Sequence, residues 1–272
     1  MKTKTSHTAF GLLVALALPL SYCDAQTPGK AEAILTKPGE CSPAAPKDPS
    51  LWDRSLIFGF NLTDGNSNTL LLNTKLSVKR DYEQNIWDFG ISGRYGEQER
   101  TNTDEDTGSD VTQQDLKASA TYKRLLSDRL YAGGGVDFLY DKIADIDYRV
   151  TLKVPVGYFV IREDDLKLAF EAGPGYVFEE VGEVENDYLA PFIGERFEWK
   201  LSDTAKIYQN AEVLFDVDDS DNYLVKADAG IEAALNSWLS LVVAVEDTYD
   251  NVPAEGKEEN DLAFSTALKV AL

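Results

Sequence analysis

Residues 204–238, TAKIYQNAEVLFDVDDSDNYLVKADAGIEAALNSW, alternate with a period of two. Ile207, Ala211, Val213 and Phe215 fall on one face, and Lys206, Tyr208, Asn210 and Glu212 on the other. After an acidic tip, Val225, Ala227, Ala229, Ile231, Ala233 and Leu235 oppose Lys226, Asp228, Gly230 and Glu232. Successive side chains of a strand point to opposite sides, so this is a β-hairpin whose two faces meet different surroundings. Each arm has roughly 10–12 residues, the length a tilted strand needs to cross a bilayer.

The same unit repeats from residue 51 onward, giving about twelve strand-like runs on period-2 counting. They fall near 51–63, 68–82, 85–98, 111–125, 129–142, 146–161, 166–179, 187–201, 204–217, 222–235, 238–249 and 260–272. Every second connection is tight, as in Leu126-Ser127-Asp128-Arg129 and Leu235-Asn236-Ser237-Trp238, where Ser and Asn side chains can bond the turning backbone. The others, EQERTNTDEDTGSD, EEVGEVEND, DVDDSDN and DTYDNVPAEGKEEN, read as longer acidic loops. Short turns at one end and long loops at the other predict an all-β, antiparallel, up-and-down transmembrane β-barrel with short periplasmic turns and longer acidic outer loops. A soluble β-sandwich also alternates, but has less reason to sort its turns by end.

Aromatic residues divide the same way. Trp52, Tyr82, Trp87, Tyr122, Tyr131, Trp199, Tyr208 and Trp238 lie near the chain start or the tight turns and form the predicted interface belt. Phe60, Tyr95, Tyr140, Tyr148, Phe178, Tyr188, Tyr223 and Tyr249 form a second set toward the long loops. Between them the lipid face is expected at Leu56, Phe58, Leu70, Leu72, Leu76, Val78, Val150, Leu152, Val154, Val156, Tyr158, Leu239, Leu241, Val243 and Val245. The opposite, lumen-facing side carries charge. Its early strands give Arg94, Lys117, Asp137, Arg149, Lys153, Lys167 and Glu171; its late strands give Lys206, Glu212, Lys226, Asp228, Glu232 and Glu246. A ring of this size is wide enough for a narrow water-filled lumen, which ion pairs could equally fill.

The beginning of the chain reads as a signal peptide over 1–25: Lys2 and Lys4, the short apolar run AFGLLVALALPL, and a cut after Ala25. Lipidation of Cys23 is the rival, poorly served by the bulky Tyr22 before it. Cleavage would leave Cys41 without an internal disulfide partner. Residues 26–50 hold half of the chain's prolines and read as an extended periplasmic linker. Localisation in the outer membrane of a Gram-negative-type bacterium follows, with outer-membrane lipid and the barrel-assembly machinery as partners.

A net charge of −21 argues against nucleic acid, whose binders present a basic face. The one histidine, His7, lies in the leader, so neither a Ser-His nor an Asp-His pair can be built in the exported protein. No G-x-S-x-G turn, zinc cluster or phosphate loop occurs. Glu171 with Glu212 is the one carboxylate pair that could serve a glycosidase, and ion-pair partners are the plainer reading. The sequence thus predicts no enzyme and no cofactor. Asp216, Asp218, Ser220 and Asn222 alternate like calcium ligands but lack the glycine and closing glutamate, leaving a weak divalent cation at the acidic loops as the one metal expectation.

The run from Trp52 carries a pattern, W-x-x-S-x-x-x-G then G-N-S-x-T, at Trp52, Ser55, Gly59, Gly65, Asn66, Ser67 and Thr69. Residues 122–130, Asp147-Tyr148-Arg149, Gly173-Pro174-Gly175-Tyr176, Leu201-Ser202-Asp203, Ser220-Asp221-Asn222-Tyr223, Pro253 and Asp261 follow in order. Together they resemble the uncharacterised bacterial family of salt-induced outer membrane proteins. The resemblance spans roughly 52–272 and implies an outer-membrane barrel with no implied activity. The inner face of interleaved acids and bases favours internal pairing, so the leading expectation is a structural or envelope-stress role with at most weak conduction. The alternatives are a narrow channel for small solutes and, in another class, a periplasmic or lipid-anchored β-sandwich binding module. One departure is the end of the chain: Phe264, Thr266, Leu268 and Val270 keep the alternation, but Leu272 stands where such barrels carry an aromatic residue.

Overall fold

The structure, a computed structural model, describes residues 52–63, 69–99 and 109–272. The expected leader (1–25) and linker (26–50), with Cys23 and Cys41, and the Gly65-Asn66-Ser67 motif lie outside the described residues. Among the described residues every regular element is a strand: β1 Asp53–Thr63, β2 Thr69–Tyr82, β3 Asn85–Glu99, β4 Ser109–Leu125, β5 Leu130–Asp141, β6 Ile146–Lys153, β7 Val156–Arg162 and β8 Leu166–Gly173. Then come β9 Gly175–Val181, β10 Val184–Leu189, β11 Phe192–Ser202, β12 Ala205–Phe215, β13 Tyr223–Ala234, β14 Leu239–Asp250 and β15 Asn260–Ala271. Antiparallel pairing runs β1-β2-β3-β4-β5-β7-β8-β11-β12-β13-β14-β15 and returns to β1, a closed ring of 12 strands. Closure pairs backbone groups that an open sheet would leave exposed.

The tight turns use the chemistry their residues offer. Ser127 Oγ accepts the N–H of Leu130, and Asn236 Oδ1 accepts those of Trp238 and Leu239.

Two features differ from the sequence reading. First, three of the expected strands are broken. Run 146–161 breaks at Pro155, run 166–179 at Pro174 and run 187–201 at Pro191. Registers set the breaks level with one another, since Lys153 pairs Gly175, Val156 pairs Ala172 and Phe192 pairs Gly173. Proline has no N–H to give to a ladder, so three neighbouring strands lose register at one height. Beyond that line β6, β9 and β10 form a small sheet hung from the outer half of β5. Second, EEVGEVEND is not a long loop. Gly182 (φ 58°) and Glu183 (φ 65°) make a two-residue turn with both φ values positive, which suits the right-handed twist of a hairpin, and β9 and β10 continue up to it.

Pairing fixes the two faces. Even-numbered residues of β1 and β2, with Val150, Leu152, Val156 and Tyr158, stand on the outside with Phe178 and Phe264. Phe58, Leu152, Val156 and Tyr158 are exposed there. Trp52, Phe89, Trp87 and Tyr122 form a contiguous aromatic cluster on the outside at the short-turn end, with Arg80 over Trp52 and Tyr82.

Tyr131 and Tyr208 do not belong to that belt, and Tyr188 does not belong to the outer one. Tyr131 is buried inside, opposite Gly157, and Tyr208 lies inside against Gly230. In each pair a glycine on the next strand leaves the slot that the ring fills, and strand parity places both rings inward beside charged neighbours. Tyr188 faces inward from β10 and is buried against Val177. A Cβ on Gly157 would run into the Tyr131 ring. Gly157→Val is therefore expected to cost about 1–3 kcal/mol, as overpacking does. A urea midpoint in detergent equal to the parent's would show that the slot has room.

Candidate functional site: the barrel interior

Side chains on strands that are not neighbours can meet only through the inside of a closed ring. Several do, and they connect most of the charged residues that the sequence places on the inner face. Glu171 of β8 receives Lys123 of β4, the Tyr131 hydroxyl of β5, and Arg196 of β11 at 2.9 Å. Lys153 of β6 lies 2.7 Å from Asp137 and 2.8 Å from Glu212 of β12. Arg149 of β6 pairs with Glu179 of β9 and reaches Asp250 of β14 at 2.8 Å. Arg94 of β3 holds Asp115 at 2.6 Å, while Lys117 and Arg94 approach Glu246 of β14 more loosely, at 3.6 and 3.9 Å. Glu232 lies 3.4 Å from Lys206 and 2.9 Å from Lys269, and Asp228 accepts Asn210 at 2.8 Å. Lys226 stands in register with Glu212 and is inward by that pairing. Lys167 stands at the short-turn rim, in a cleft of about 390 Å³ shared with Asp81, Asp128, Arg129, Arg162, Glu163 and Asp164.

Glu171 and Glu212 are thus each matched by bases instead of facing one another. The partners Asp115, Lys123, Glu179, Arg196, Asp250 and Lys269 were absent from the sequence assignment. Parity alone could have found Lys123 and Arg196, which alternate with inward neighbours. Nothing in the sequence gives their partners, because those lie several strands away in the ring.

Above the proline line the interior holds an apolar core beside the Arg149 ion pairs. Val177, Tyr188, Ala190, Phe192, Leu214 and Leu224 form one buried apolar cluster joining β9 and β10 to β12 and β13. The tip of the β9–β10 hairpin packs Gly182 against Ala254, and Gly182 donates its N–H to the Asp145 carbonyl. Lys257 Nζ donates to the Ile143 carbonyl at 2.7 Å, so the loop after β14 is fastened to the turn after β5. The small sheet and this loop cover the mouth at the long-loop end. The other half of the interior is more open: the Glu246 side chain is 44% exposed, against 3% for Glu171 and Arg149.

The Asp216 tip is a turn. Asp216 Oδ1 accepts the N–H groups of Asp218 and Asp219, and Oδ2 accepts Asn222 Nδ2. No group of three or more acidic, His or Cys side chains stands close enough to hold a metal among the described residues.

A closed antiparallel ring with an apolar outside, aromatic clusters and an ion-paired inside defines an outer-membrane-type β-barrel. The chain belongs to the family described as "Protein of unknown function, DUF481", whose model matches residues 56–272. This agrees with the uncharacterised family that the motifs from Trp52 onward resemble. No curated protein sequence matches the chain. Among solved structures, the NanC porin matches with a TM-score of 0.50 and 7% identity, over 81% of this chain and 99% of that one. An outer membrane channel from Pseudomonas putida F1 matches at 0.49 and 9% identity, over 88% of this chain and 100% of the other. At such identities the likeness is one of fold.

Proposed function

We propose that the protein is exported by cleavage of its leader and sits in the outer membrane as an internally braced barrel, with a structural role in the envelope and only weak conduction. Membrane lipid surrounds the apolar outside, and the assembly machinery inserts it. The role in this reading is non-catalytic: Glu171 and Glu212, the one carboxylate pair that could serve as acid and base, are each held by neighbouring bases. The observation that carries this reading is the set of braces through the interior, Lys123–Glu171, Lys153–Glu212 and Arg149–Asp250, which occupy the space a wide porin leaves to water. The looser Arg94–Lys117–Glu246 group marks where residual water and ions would pass.

Two measurements test it. Outer membranes extracted in detergent should yield a band that migrates faster unboiled than boiled. Purified protein in planar bilayers should show a unit conductance roughly tenfold or more below that of a wide porin measured alongside, as expected for a filled lumen. Recovery in the soluble periplasmic fraction, or a large steady conductance, would refute the reading.

A further inference from the structure

The outer face at the short-turn end is not the same all round the ring. Pairing carries Asp53, Lys79, Asp81 and Asp88 to the inner side of β1–β3, and Arg54, Arg80 and Arg124 to the outer side of β1, β2 and β4. The strand acids of this sector point in and its arginines point out, which leaves Glu83, in the turn after β2, as the acid at the rim. Inside, the bases at this height are matched: Lys79 lies 2.8 Å from Asp88, and Lys123 pairs with Glu171. Outside, Arg54, Arg80 and Arg124 form no ion pair among the described residues. The far half of the ring presents Trp199, Ile207, Ala233 and Leu239 at this end of its outer face.

Arg80 is the centre of this basic patch. Asp53 pairs Lys79, Arg80 pairs Trp87, and Trp87 pairs Tyr122, so Trp52, Arg80, Trp87 and Tyr122 stand in one row across the wall. The Arg80 guanidinium carbon lies 5.5 Å from the centre of the Trp52 ring and 5.0 Å from that of Tyr82. The rings hold this cation in place without neutralising it, and its buried Nε meets no acceptor in the protein. Arg54 pairs Val78, two residues from Arg80 on β2. Strand spacing and rise put the two arginine Cα atoms about 8 Å apart, close enough for both guanidinium groups to meet one anion. Arg124 stands one row nearer the rim, paired with Asn85, and Arg54 and Arg124 are both exposed.

We propose that Arg54 and Arg80, flanked by Arg124, hold the phosphate of an anionic glycerophospholipid of the periplasmic leaflet against the outer wall. The proposal rests on the outer-membrane reading above, which puts the short turns on the periplasmic side. Aromatic rings such as Trp52, Tyr82 and Trp87 mark the depth of the headgroups, so the arginines meet phosphate there. A guanidinium offers its donors as a fork that fits phosphate oxygens. The acyl chains then run along Leu56, Phe58, Leu76, Phe89 and Ile91, which continue the same outer face toward the long loops. A headgroup with net negative charge is favoured over a zwitterion. The acids that could receive an ammonium, Asp53, Asp81 and Asp88, are turned to the other side of the wall.

The test uses the full chain in phosphatidylcholine liposomes, each variant first shown to give the faster unboiled band. Dibrominated acyl chains quench a tryptophan that they touch. Replacing part of the lipid with dibrominated phosphatidylglycerol, or with dibrominated phosphatidylcholine, therefore gives the relative binding constant of each beside that ring. Trp199→Phe with Trp238→Phe leaves Trp52 and Trp87 as reporters at the patch. Trp52→Phe, Trp87→Phe and Trp238→Phe together leave Trp199, on the far side of the ring. Phosphatidylglycerol should be favoured at least about fivefold at the patch, the effect of a single basic side chain at a membrane surface, and not at Trp199. Arg54→Gln with Arg80→Gln should bring the patch down to the Trp199 value. Equal constants for the two lipids at the patch, the same preference at Trp199, or a preference that survives Arg54→Gln with Arg80→Gln each overturn the proposal. So does a lack of quenching at the patch by either lipid, which would show that a second copy covers it. A parent protein without a faster unboiled band refutes the outer-membrane reading itself, whereas a folded band with equal constants refutes the lipid site alone.

Discussion

Glu171→Ala is expected to lower the stability of the barrel by about 3–5 kcal/mol, the usual cost of leaving a buried charge without its partner. Glu171 is buried, and a single oxygen of it accepts from Lys123, Tyr131 and Arg196. Removing it strands two cations in one pocket. Lys123 bears most of the cost, because Arg196 is half-exposed and water can screen it. The midpoint of urea unfolding in detergent, read from the unboiled band, measures the loss. Glu171→Leu combined with Lys123→Met should recover a large part of it, because replacing a buried pair by apolar groups is often neutral. If Glu171→Ala unfolds at the parent's midpoint, the pocket is wet and the brace is not structural.

Arg149→Ala is expected to raise the unit conductance severalfold while destabilising the cover. Arg149 is the only described link from β6 to β14, and it holds Glu179 and Asp250 at once. Without it two largely buried carboxylates face each other, and their repulsion is relieved by moving the small sheet away from Asp250. The apolar cluster around Leu214 and Leu224 resists that movement, so the open state should be partial and noisy. Single-channel recordings decide: conductance unchanged from the parent would mean that the small sheet is not what limits the passage. Arg149→Lys should give an intermediate value, since an ammonium can satisfy one carboxylate but not bridge both as a guanidinium does.

How much of this was legible in the sequence can be judged at particular residues. Period-2 alternation located the twelve-strand ring and both faces, because a strand on a two-sided wall has no other pattern available. The prolines were visible, yet the strands around Pro155, Pro174 and Pro191 read as continuous. Each flank alternates by itself, and only pairing shows that the three breaks share one height. Acidic residues around Gly182 suggest a solvated loop, whereas the turn depends on two positive φ values that composition does not reveal. Residue type alone points Tyr131 and Tyr208 to the belt, whereas parity, and the glycines opposite them, set them inside. Inner-face charges could be named one by one, but not their partners, since a chord across a ring joins residues such as Arg149 and Asp250 that are 101 apart in sequence.

The level row of prolines also bears on how the wall fails. Below it the twelve strands are laced side to side; above it β6, β9 and β10 share a strand ladder with the ring only through β5, their other ties being side-chain braces and the apolar cluster, and each vertical crossing of the row lacks a proline N–H. Stability in such a wall is not shared evenly, and a weakly tied patch opens without the rest. The cover over the mouth can therefore melt as one piece while the ring stays shut. Stress that loosens the protein would first turn a sealed cylinder into a leaking one, and only later breach the membrane it sits in.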